Sequence, residues 1–338
     1  MAMTIYDISK KAGVSIATVS RVLNDSENVR PSTRKKVMDV IDKYDYTPNA
    51  FARGMGLHSL KTIGILCADS SDLFLAKAVY FLEQELQANG YESLLCCTGY
   101  NLDIKKNYLN LILSKKVDSI ILVGSHFIGS NEDENQYIKD VSTQVPIMLL
   151  NASFDHPNVY STLCDDYGTM FEAATEMIQS GITDILYLYD SKSYSGLKKL
   201  HGFCDAMKEY NIPGFEKLIH FYDGNIEHLN EVADFVARIA TKGTSFHGIM
   251  TSDDSLAIGS IKYAQKKGIR IPKELSVMGY NNSMLTNCCT PELTSVDNRL
   301  ETLTHQLVQT LLGVLAGEEM PKKSIFSGKI IKRGTTLF

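Results

Sequence analysis

Thr4-Ile5-Tyr6-Asp7-Ile8-Ser9-Lys10-Lys11-Ala12-Gly13-Val14-Ser15-Ile16-Ala17-Thr18-Val19-Ser20-Arg21-Val22-Leu23-Asn24 decides how the rest of this chain is read. Thr4 has the hydroxyl of an N-cap, and Asp7 three residues on makes a variant capping box. Ile5, Ile8 and Ala12 recur at helical spacing and give the segment one apolar stripe. Gly13 ends that helix where the chain must turn sharply. Ser15 is placed to cap a second helix, with Val19, Val22 and Leu23 on one face and Ile16, Ala17, Ser20 and Arg21 on the other. Two short helices across a tight turn are the arrangement that sets an outward helix face into the major groove of DNA. Pro31 suits the first turn of a third helix, and Val37, Val40 and Ile41 close a three-helix core.

Charge divides the chain at the same place. Residues 1–60 hold nine Lys/Arg against six Asp/Glu, a net of +3, and the remainder holds 25 against 33, a net of −8. A cationic module on an anionic body draws phosphates to one end only. With 338 residues, 44% of them hydrophobic, the chain has room for that module and two further cores. No run approaches 18 apolar residues, which predicts no membrane span, and the polar start carries no signal-peptide apolar segment. The seven cysteines are an odd number without a CxxC motif, Cys96-Cys97 and Cys288-Cys289 being merely vicinal. They are expected to be reduced and mostly buried.

Residues 4–24 resemble the signature of the LacI/GalR family of bacterial transcription regulators. The likeness runs on through Asn28-Val29-Arg30-Pro31-Ser32-Thr33-Arg34 and Tyr46-Thr47-Pro48-Asn49-Ala50-Phe51-Ala52-Arg53-Gly54-Met55, then in looser fragments along the whole chain. It implies an N-terminal all-α helix-turn-helix head-piece over 1–46 and a hinge helix with linker over 47–60. An α/β periplasmic-binding-protein-like core of two doubly wound parallel-sheet subdomains follows, 61–160 with 291–322 and 161–290 with 323–338. The chain is then expected to cross between subdomains near residues 160, 290 and 322. The implied protein is a bacterial, cytoplasmic, nucleoid-associated homodimer that represses carbohydrate-utilisation genes. Its implied partners are a pseudo-palindromic double-stranded operator and a small sugar effector, with no membrane and no cofactor.

The candidate DNA-binding residues are Ser15, Ile16, Ala17, Thr18, Ser20, Arg21, Asn24 and Arg34 in the head-piece, and Asn49, Ala52, Arg53 and Met55 in the hinge. Arg21 can act as a bidentate donor to a guanine. Ile16 and Ala17 have no hydrogen-bonding side chain and would meet thymine methyls or merely pack. Lys10, Lys11, Arg34 and Lys35 are suited to phosphates, which position without specifying sequence. The run after Pro48 is too short to be a stable helix alone. The resemblance places Met55 where relatives carry a leucine that wedges into a base step, and methionine is slim and flexible enough for that role. Arg53 would help hold the hinge in the minor groove.

From Lys61 onward the pattern turns to strand and helix. Residues 62–68 read as a buried strand and 74–89 as a helix stopped by Gly90. Further strands are expected at 92–96, 119–123, 147–150, 185–189, 248–251 and 275–279, with helices between most of them. Alternating units of this kind build parallel sheets covered on both faces, with ligands beyond the strand C-terminal ends. By the resemblance, Asp69 and Phe74 in the loop after the first strand are effector contacts, although Phe74 equally suits a helix core. Asn151 stands where relatives often place a carboxylate. Lys199, in Lys199-Leu200-His201-Gly202-Phe203, matches the arginine of the family's Arg-Leu-x-Gly-Phe, with Lys198 as the adjacent alternative; lysine brings a point charge in place of a planar fork. Asp253 replaces a ligand-facing asparagine, and Asp254 equally suits a helix cap. Asn281, in Gly279-Tyr280-Asn281-Asn282, replaces a common ligand-binding aspartate. Two carboxylate positions have thus become Asn, which suits a neutral polyol. Phe221 or Tyr222 can stand in for an aromatic ring that relatives carry near Asp223-Gly224. The Asn281-Asn282-Ser283 run resembles maltose-type regulators.

No GxGxxG, P-loop, HExxH or GxSxG motif occurs, and the eight histidines are scattered. No catalytic residue and no metal ligand is therefore expected. The alternative to a sugar effector is a catabolite-control-type regulator that answers to a phosphorylated carrier protein, since residues 14–36 resemble those proteins too. Their C-terminal Tyr-Asp-Ile-Gly run is replaced here by Glu301-Thr302-Leu303-Thr304. A pure sugar-binding protein is a third possibility, which the head-piece disfavours.

Overall fold

The computed structural model describes residues 3–23, 26, 28–44, 59–241 and 243–338. The head begins as its local chemistry dictates. Asp7 Oδ2 accepts from Thr4 N–H at 2.9 Å while Thr4 Oγ1 accepts from Asp7 N–H at 3.3 Å. The Thr4 hydroxyl, which donates to Asp7 Oδ2 at 2.6 Å, and then the Thr4 N–H hold the Asp7 carboxyl below its ordinary pKa. The capped helix, α1 (Ile5–Ala12), ends at Gly13, whose φ of 65° lies in the left-handed region that a Cβ disfavours. Ser15 Oγ accepts from Thr18 N–H at 3.1 Å and opens α2 (Ile16–Leu23). Pro31 starts α3 (Pro31–Lys43). Ile8, Val19 and Val37 have no exposed surface and form one core with Val22 and Ile41, so the three helices close on five aliphatic side chains.

The rest folds into two lobes, each around a six-stranded sheet. The first sheet holds β1 (Thr62–Cys67), β2 (Glu92–Cys97), β3 (Ser119–Val123), β4 (Ile147–Leu150), β5 (Val159–Cys164) and β11 (Lys323–Phe326), in the order β11-β5-β4-β3-β1-β2. The second holds β6 (Ile185–Tyr189), β7 (Ile219–Phe221), β8 (Gly248–Thr251), β9 (Ser276–Tyr280), β10 (Thr294–Asp297) and β12 (Lys329–Ile331), in the order β12-β10-β9-β8-β6-β7. All pairings are parallel except β10 with β12. The first sheet buries one face under α4 (Leu73–Ala88) and α11 (Leu300–Leu315) and the other under α5 (Leu102–Ser114) and α6 (Glu132–Ser142). The second lies between α7 (Asp166–Gln179) with α8 (Tyr194–Glu209) and α9 (Leu229–Thr241) with α10 (Asp254–Lys267). Helices α7 and α8 touch through Gly202, where a Cβ would come within 2.3 Å of the Tyr167 carbonyl oxygen. That contact accounts for the glycine in the Lys199–Phe203 fragment.

Four of the expected strands coincide with β3, β4, β6 and β8, and the strand expected at 275–279 is displaced by one residue to Ser276–Tyr280. Strands β5, β7, β10, β11 and β12 carry no apolar run and had no expectation. They also move the crossings between lobes. The chain passes between Cys164 and Asp166, between Asp297 and Leu300, and between Phe326 and Lys329, later than residues 160, 290 and 322. The reason is pairing: β5 stays bonded to β4 and β11, and β10 to β9 and β12, before the chain leaves each sheet.

All seven cysteines are free thiols, but only Cys67 and Cys164 are buried, and Cys97 and Cys288 are exposed. The expectation that most are buried is corrected on this point: Cys97 ends an edge strand and Cys288 follows a short 3-10 turn at the surface. Among the described residues no helix is long and apolar enough to cross a membrane.

Candidate functional site

Two regions collect the chemistry. In the head, Val19 and Val22 turn α2 inward, which leaves Ile16, Ala17 and Arg21 exposed on its outer side and Ser20 half-buried. Ser15 Oγ and Thr18 Oγ1 are 2.9 Å apart and share a hydrogen bond, so both hydroxyls serve the start of α2. Lys10 and Lys35 are exposed. Lys11 Nζ donates to the Tyr44 hydroxyl at 3.3 Å and sits 4.4 Å from its ring centroid. Arg34 donates to the Ser26 carbonyl at 2.7 Å, which ties α3 to the loop after α2. Asn24, Asn49, Ala52, Arg53 and Met55 lie outside the described residues.

The second region is the crevice between the lobes, built from loops at strand C-terminal ends, where parallel sheets offer unpaired backbone groups and converging turns. It consists of adjoining hollows of about 90, 640 and 1040 Å³ that share Asp253. The smallest is lined by Asn151 and Ser125 from the first lobe and Asp190, Lys199 and Asn281 from the second. All six effector candidates reach these walls. Asp69 lines only the largest hollow and turns Oδ1 back to Ser71 N–H and Oγ, both at 2.8 Å, which lowers its carboxyl pKa. Phe74 lines the two smaller hollows while packing on the first lobe's core.

Asn151, at φ 62°, is held at the end of β4 with 7% of its surface exposed, and its Oδ1 is buried with no partner. Lys199 is likewise 7% exposed; its Nζ donates to the Ser252 carbonyl at 3.0 Å and stands 3.9 Å from the Tyr280 ring centroid. Lys198 is exposed and is not among the residues that line the smallest hollow. Beneath Lys199, Asp166 accepts from Ser195 Oγ at 2.5 Å and from the Tyr280 hydroxyl at 2.7 Å. Burial raises the Asp166 pKa, and the Lys199 charge opposes that rise.

Asp253 caps α10 by accepting from Ser255 N–H at 2.7 Å, so the cap falls on Asp253 and not on Asp254. Asp254 instead accepts from Ser295 Oγ and Ser283 N–H, both at 2.6 Å. Burial, then the charges of Asp190 and Asp254, push the Asp253 pKa up to about 7. Asn281 donates Nδ2 to Asp253 at 2.8 Å and accepts from Asn298 Nδ2 at 3.0 Å. Both its polar atoms therefore have protein partners, and it orients Asp253. Of the two rings near Asp223-Gly224, Phe221 is exposed at the largest hollow and Tyr222 is buried.

Sequence reasoning missed Asp72, Tyr100, His126 and Asp190, which also line the crevice. Burial raises the pKa of Asp72, and burial lowers that of His126. Their only sequence signal is position, shortly after β1, β2, β3 and β6. The lobes touch here through Ser125 Oγ, which donates to Ser193 Oγ at 2.8 Å. Among the described residues no group of three His, Cys, Asp or Glu side chains is arranged to hold a metal ion.

Comparison with known proteins covers both regions. Residues 4–49 match the model of bacterial regulatory proteins, lacI family, and residues 174–336 match a periplasmic binding protein-like domain. An HTH-type transcriptional regulator of Lachnoclostridium phytofermentans is 50% identical over 99% of this chain and 100% of its own length. Catabolite control protein A of Priestia megaterium is 32% identical over 88% of this chain and 87% of its own. The fold is that of the Lac repressor dimer bound to operator and an anti-inducer, with a TM-score of 0.88 at 21% identity and full coverage of both chains.

Proposed function

This chain belongs to the lacI family of bacterial regulatory proteins, and we propose that it represses carbohydrate-utilisation genes under the control of an uncharged sugar held between its lobes. It is a transcriptional regulator that binds DNA through its helix-turn-helix head. As a homodimer it would set two copies of α2 on the halves of a pseudo-palindromic operator, with Arg21 reading a guanine edge and Ile16 and Ala17 meeting apolar base surface. Lys10 and Lys35 would neutralise phosphates. Lys11 and Arg34 are already committed within the head, so their part in phosphate contact is secondary.

The observation that carries the effector reading is Asn151 Oδ1, a buried carbonyl oxygen left without a donor on a residue that lines the smallest hollow. Such an atom costs about 1–3 kcal/mol until a donor reaches it. Around it stand the carboxyls of Asp72, Asp190 and Asp253 and a single ammonium, Lys199. With burial drawing Asp72 and Asp253 toward their neutral forms, Lys199 is offset by Asp190 and the wall has no surplus of positive charge to hold phosphorylated or carboxylated ligands. Sugar hydroxyls supply what this wall lacks, donors for Asn151 and the carboxylates and an acceptor for Lys199. The Phe221 and Tyr100 rings on the walls of the largest hollow suit the apolar faces of sugar rings. The pocket keeps more carboxylates than the Asn substitutions at 151 and 281 suggested, yet burial draws Asp72 and Asp253 toward their neutral forms.

Titration calorimetry against neutral mono- and oligosaccharides, their phosphates and amino sugars tests the reading. The expected result is heat with a neutral sugar alone, and a matching change in affinity for an operator selected from random DNA. Binding of the phosphates in preference would overturn it. The 32% identity to a catabolite control protein favours a second reading, in which a phosphorylated carrier protein is the effector. Adding that carrier in place of sugar separates the two.

A further inference from the structure

Strands β1 and β2 run parallel with Cys67 opposite Cys97. Their Sγ atoms are 3.8 Å apart. Cys67 belongs to the buried core under α4, and Cys97 is exposed on the edge strand. Alternation along β2 turns Cys96 to the other face, where it packs with the cluster of Leu66 and Leu109. The vicinal thiol therefore has no direct path to Cys67.

We propose that Cys67 and Cys97 are an oxidisable dithiol which a hydroperoxide converts to a disulfide, and that this link weakens ligand binding in the crevice. Neighbouring strands lie about 4.8 Å apart, within the roughly 4.4–6.8 Å Cα separation that a disulfide admits. From 3.8 Å the sulfurs must close by about 1.8 Å to bond. A sheet core resists that movement, so the link is strained and readily reduced, as regulatory disulfides are. Burial, and then the neighbouring Cys97, push the Cys67 thiol up to about 12. Cys97, exposed to solvent, is the group a peroxide reaches, and the buried Cys67 is the resolving one.

The chemistry balances with hydrogen peroxide as the oxidant. The Cys97 thiolate attacks a peroxide oxygen and the O–O bond breaks. Cys97 becomes a sulfenic acid, and the departing hydroxide takes up a proton as water. Cys67 sulfur then attacks Cys97 sulfur, the S–S bond forms, the S–O bond breaks, and hydroxide leaves with the Cys67 proton as a second water. Two electrons pass from the thiols to the peroxide.

The link sits at the root of two loops of the crevice. Thr98 N–H donates to the Cys67 carbonyl at 2.9 Å and Gly99 N–H to the Ala68 carbonyl at 2.8 Å. Asp69 and Asp72 follow one strand and Tyr100 the other, and all three line the largest hollow. Drawing the strands together displaces those side chains. This coupling rests on the crevice being the effector site; formation of the link does not.

The test takes the reduced full-length chain through a hydrogen peroxide titration, with thiol counting, peptide mapping by mass spectrometry, and calorimetry with whichever neutral sugar the reduced protein binds. A Cys67–Cys97 cross-linked peptide reversed by dithiothreitol is expected. It should persist in Cys96→Ser and vanish in Cys97→Ser. Cys67→Ala, which keeps the core apolar, repeats the loss from the buried side. Sugar affinity should fall by about fivefold or more in the linked form, the lower end of allosteric coupling. Cys97 oxidised beyond sulfenic acid with Cys67 still reduced, or links only within Cys96-Cys97 or Cys288-Cys289, would overturn the site. A linked protein with unchanged sugar affinity would overturn the coupling, and a reduced protein that binds no sugar would instead sink the sugar reading.

Discussion

Ile8 and Ile16 are the same residue on opposite sides of the head, and truncating each to alanine should separate folding from recognition. Ile8 has no exposed surface and meets Val19, Val22, Val37 and Ile41, whereas Ile16 is 39% exposed on the outer side of α2. Removing a buried isoleucine to Cβ costs about 2–5 kcal/mol, the spread reflecting how far the cavity collapses. A head of about 40 residues holds only about 2–6 kcal/mol in all, at the usual 0.05–0.15 kcal/mol per residue. Ile8→Ala should therefore consume most of the head's stability, while the lobes keep their own separate cores. Ile16→Ala should alter stability by no more than about 0.5 kcal/mol, as exposed positions do. Amide hydrogen exchange on the full-length chain reads the head directly, and gel shifts on selected and bulk DNA read its grip. The expected pattern is loss of exchange protection over 5–43 and of all duplex binding for Ile8→Ala, with sugar heats unchanged. For Ile16→Ala it is full protection with weaker discrimination between selected and bulk DNA. A protected head with intact operator affinity in Ile8→Ala, or an unfolded head in Ile16→Ala, would refute the assignment of inner and outer faces.

Other perturbations probe single contacts. Arg21→Ala should cost about 1–3 kcal/mol of operator binding and relax preference at one base pair, and selection from random DNA shows whether the profile changes. Lys199→Met keeps the apolar stem but loses the bond to Ser252 and the cation over Tyr280; calorimetry should find no sugar heat while gel shifts find normal operator affinity. Asp253, with a folded pKa near 7 against an unfolded value of about 3.9, binds its proton more tightly when folded. Its contribution is thus fully present below about pH 4 and is lost as pH rises through 7, and melting curves across that range should show a smaller decline for Asp253→Asn. Ser125→Ala removes the hydroxyl that bonds Ser193 across the crevice and should weaken sugar binding by about tenfold at most, the equivalent of one neutral hydrogen bond.

What could be read from the chain alone depended on how local its cause is. The head was legible because the Thr4 and Asp7 cap, the Gly13 turn and the inward Val19 and Val22 are set by residues within four positions of one another. Strands β3 and β4 were legible because both of their faces are buried and only apolar residues survive there. Strand β5, Val159 to Cys164, mixes Tyr, Ser and Thr with aliphatics, and its place next to β11 is fixed by a segment more than 150 residues further along. Asp190 and Asp72 gave no signal beyond their position after a strand because a carboxylate acquires its role from neighbours that arrive from other loops. Asn281 shows the same limit from the other side. Its position after β9 marked it as a ligand contact, yet only the fold reveals that Asp253 and Asn298 already occupy its amide.

The bonds that join the lobes bear on how a ligand could switch the protein. Ser125 and Ser193 meet through hydroxyls, and the Tyr280 hydroxyl lies 4.0 Å from Cys164 Sγ at the end of the first sheet's β5. Contacts of this kind are neutral, and each nets about 0.5–1.5 kcal/mol because water can replace it. They hold one relative position of the lobes only weakly, so a few kcal/mol of preferential binding is enough to repopulate another. A sugar bonded to Asn151 or Asp72 on one side and to Asp190 or Lys199 on the other gains those bonds only when the lobes are together. Two or three of them amount to about 1–4.5 kcal/mol, about fivefold to somewhat over a thousandfold in population at about 1.4 kcal/mol per decade. A fragment that reaches one lobe alone binds both positions equally and shifts nothing. Under the proposed reading, the working effector is therefore defined less by tightness than by span, and the smallest sugar that bridges Asn151 and Lys199 sets the lower limit of what the operator can sense.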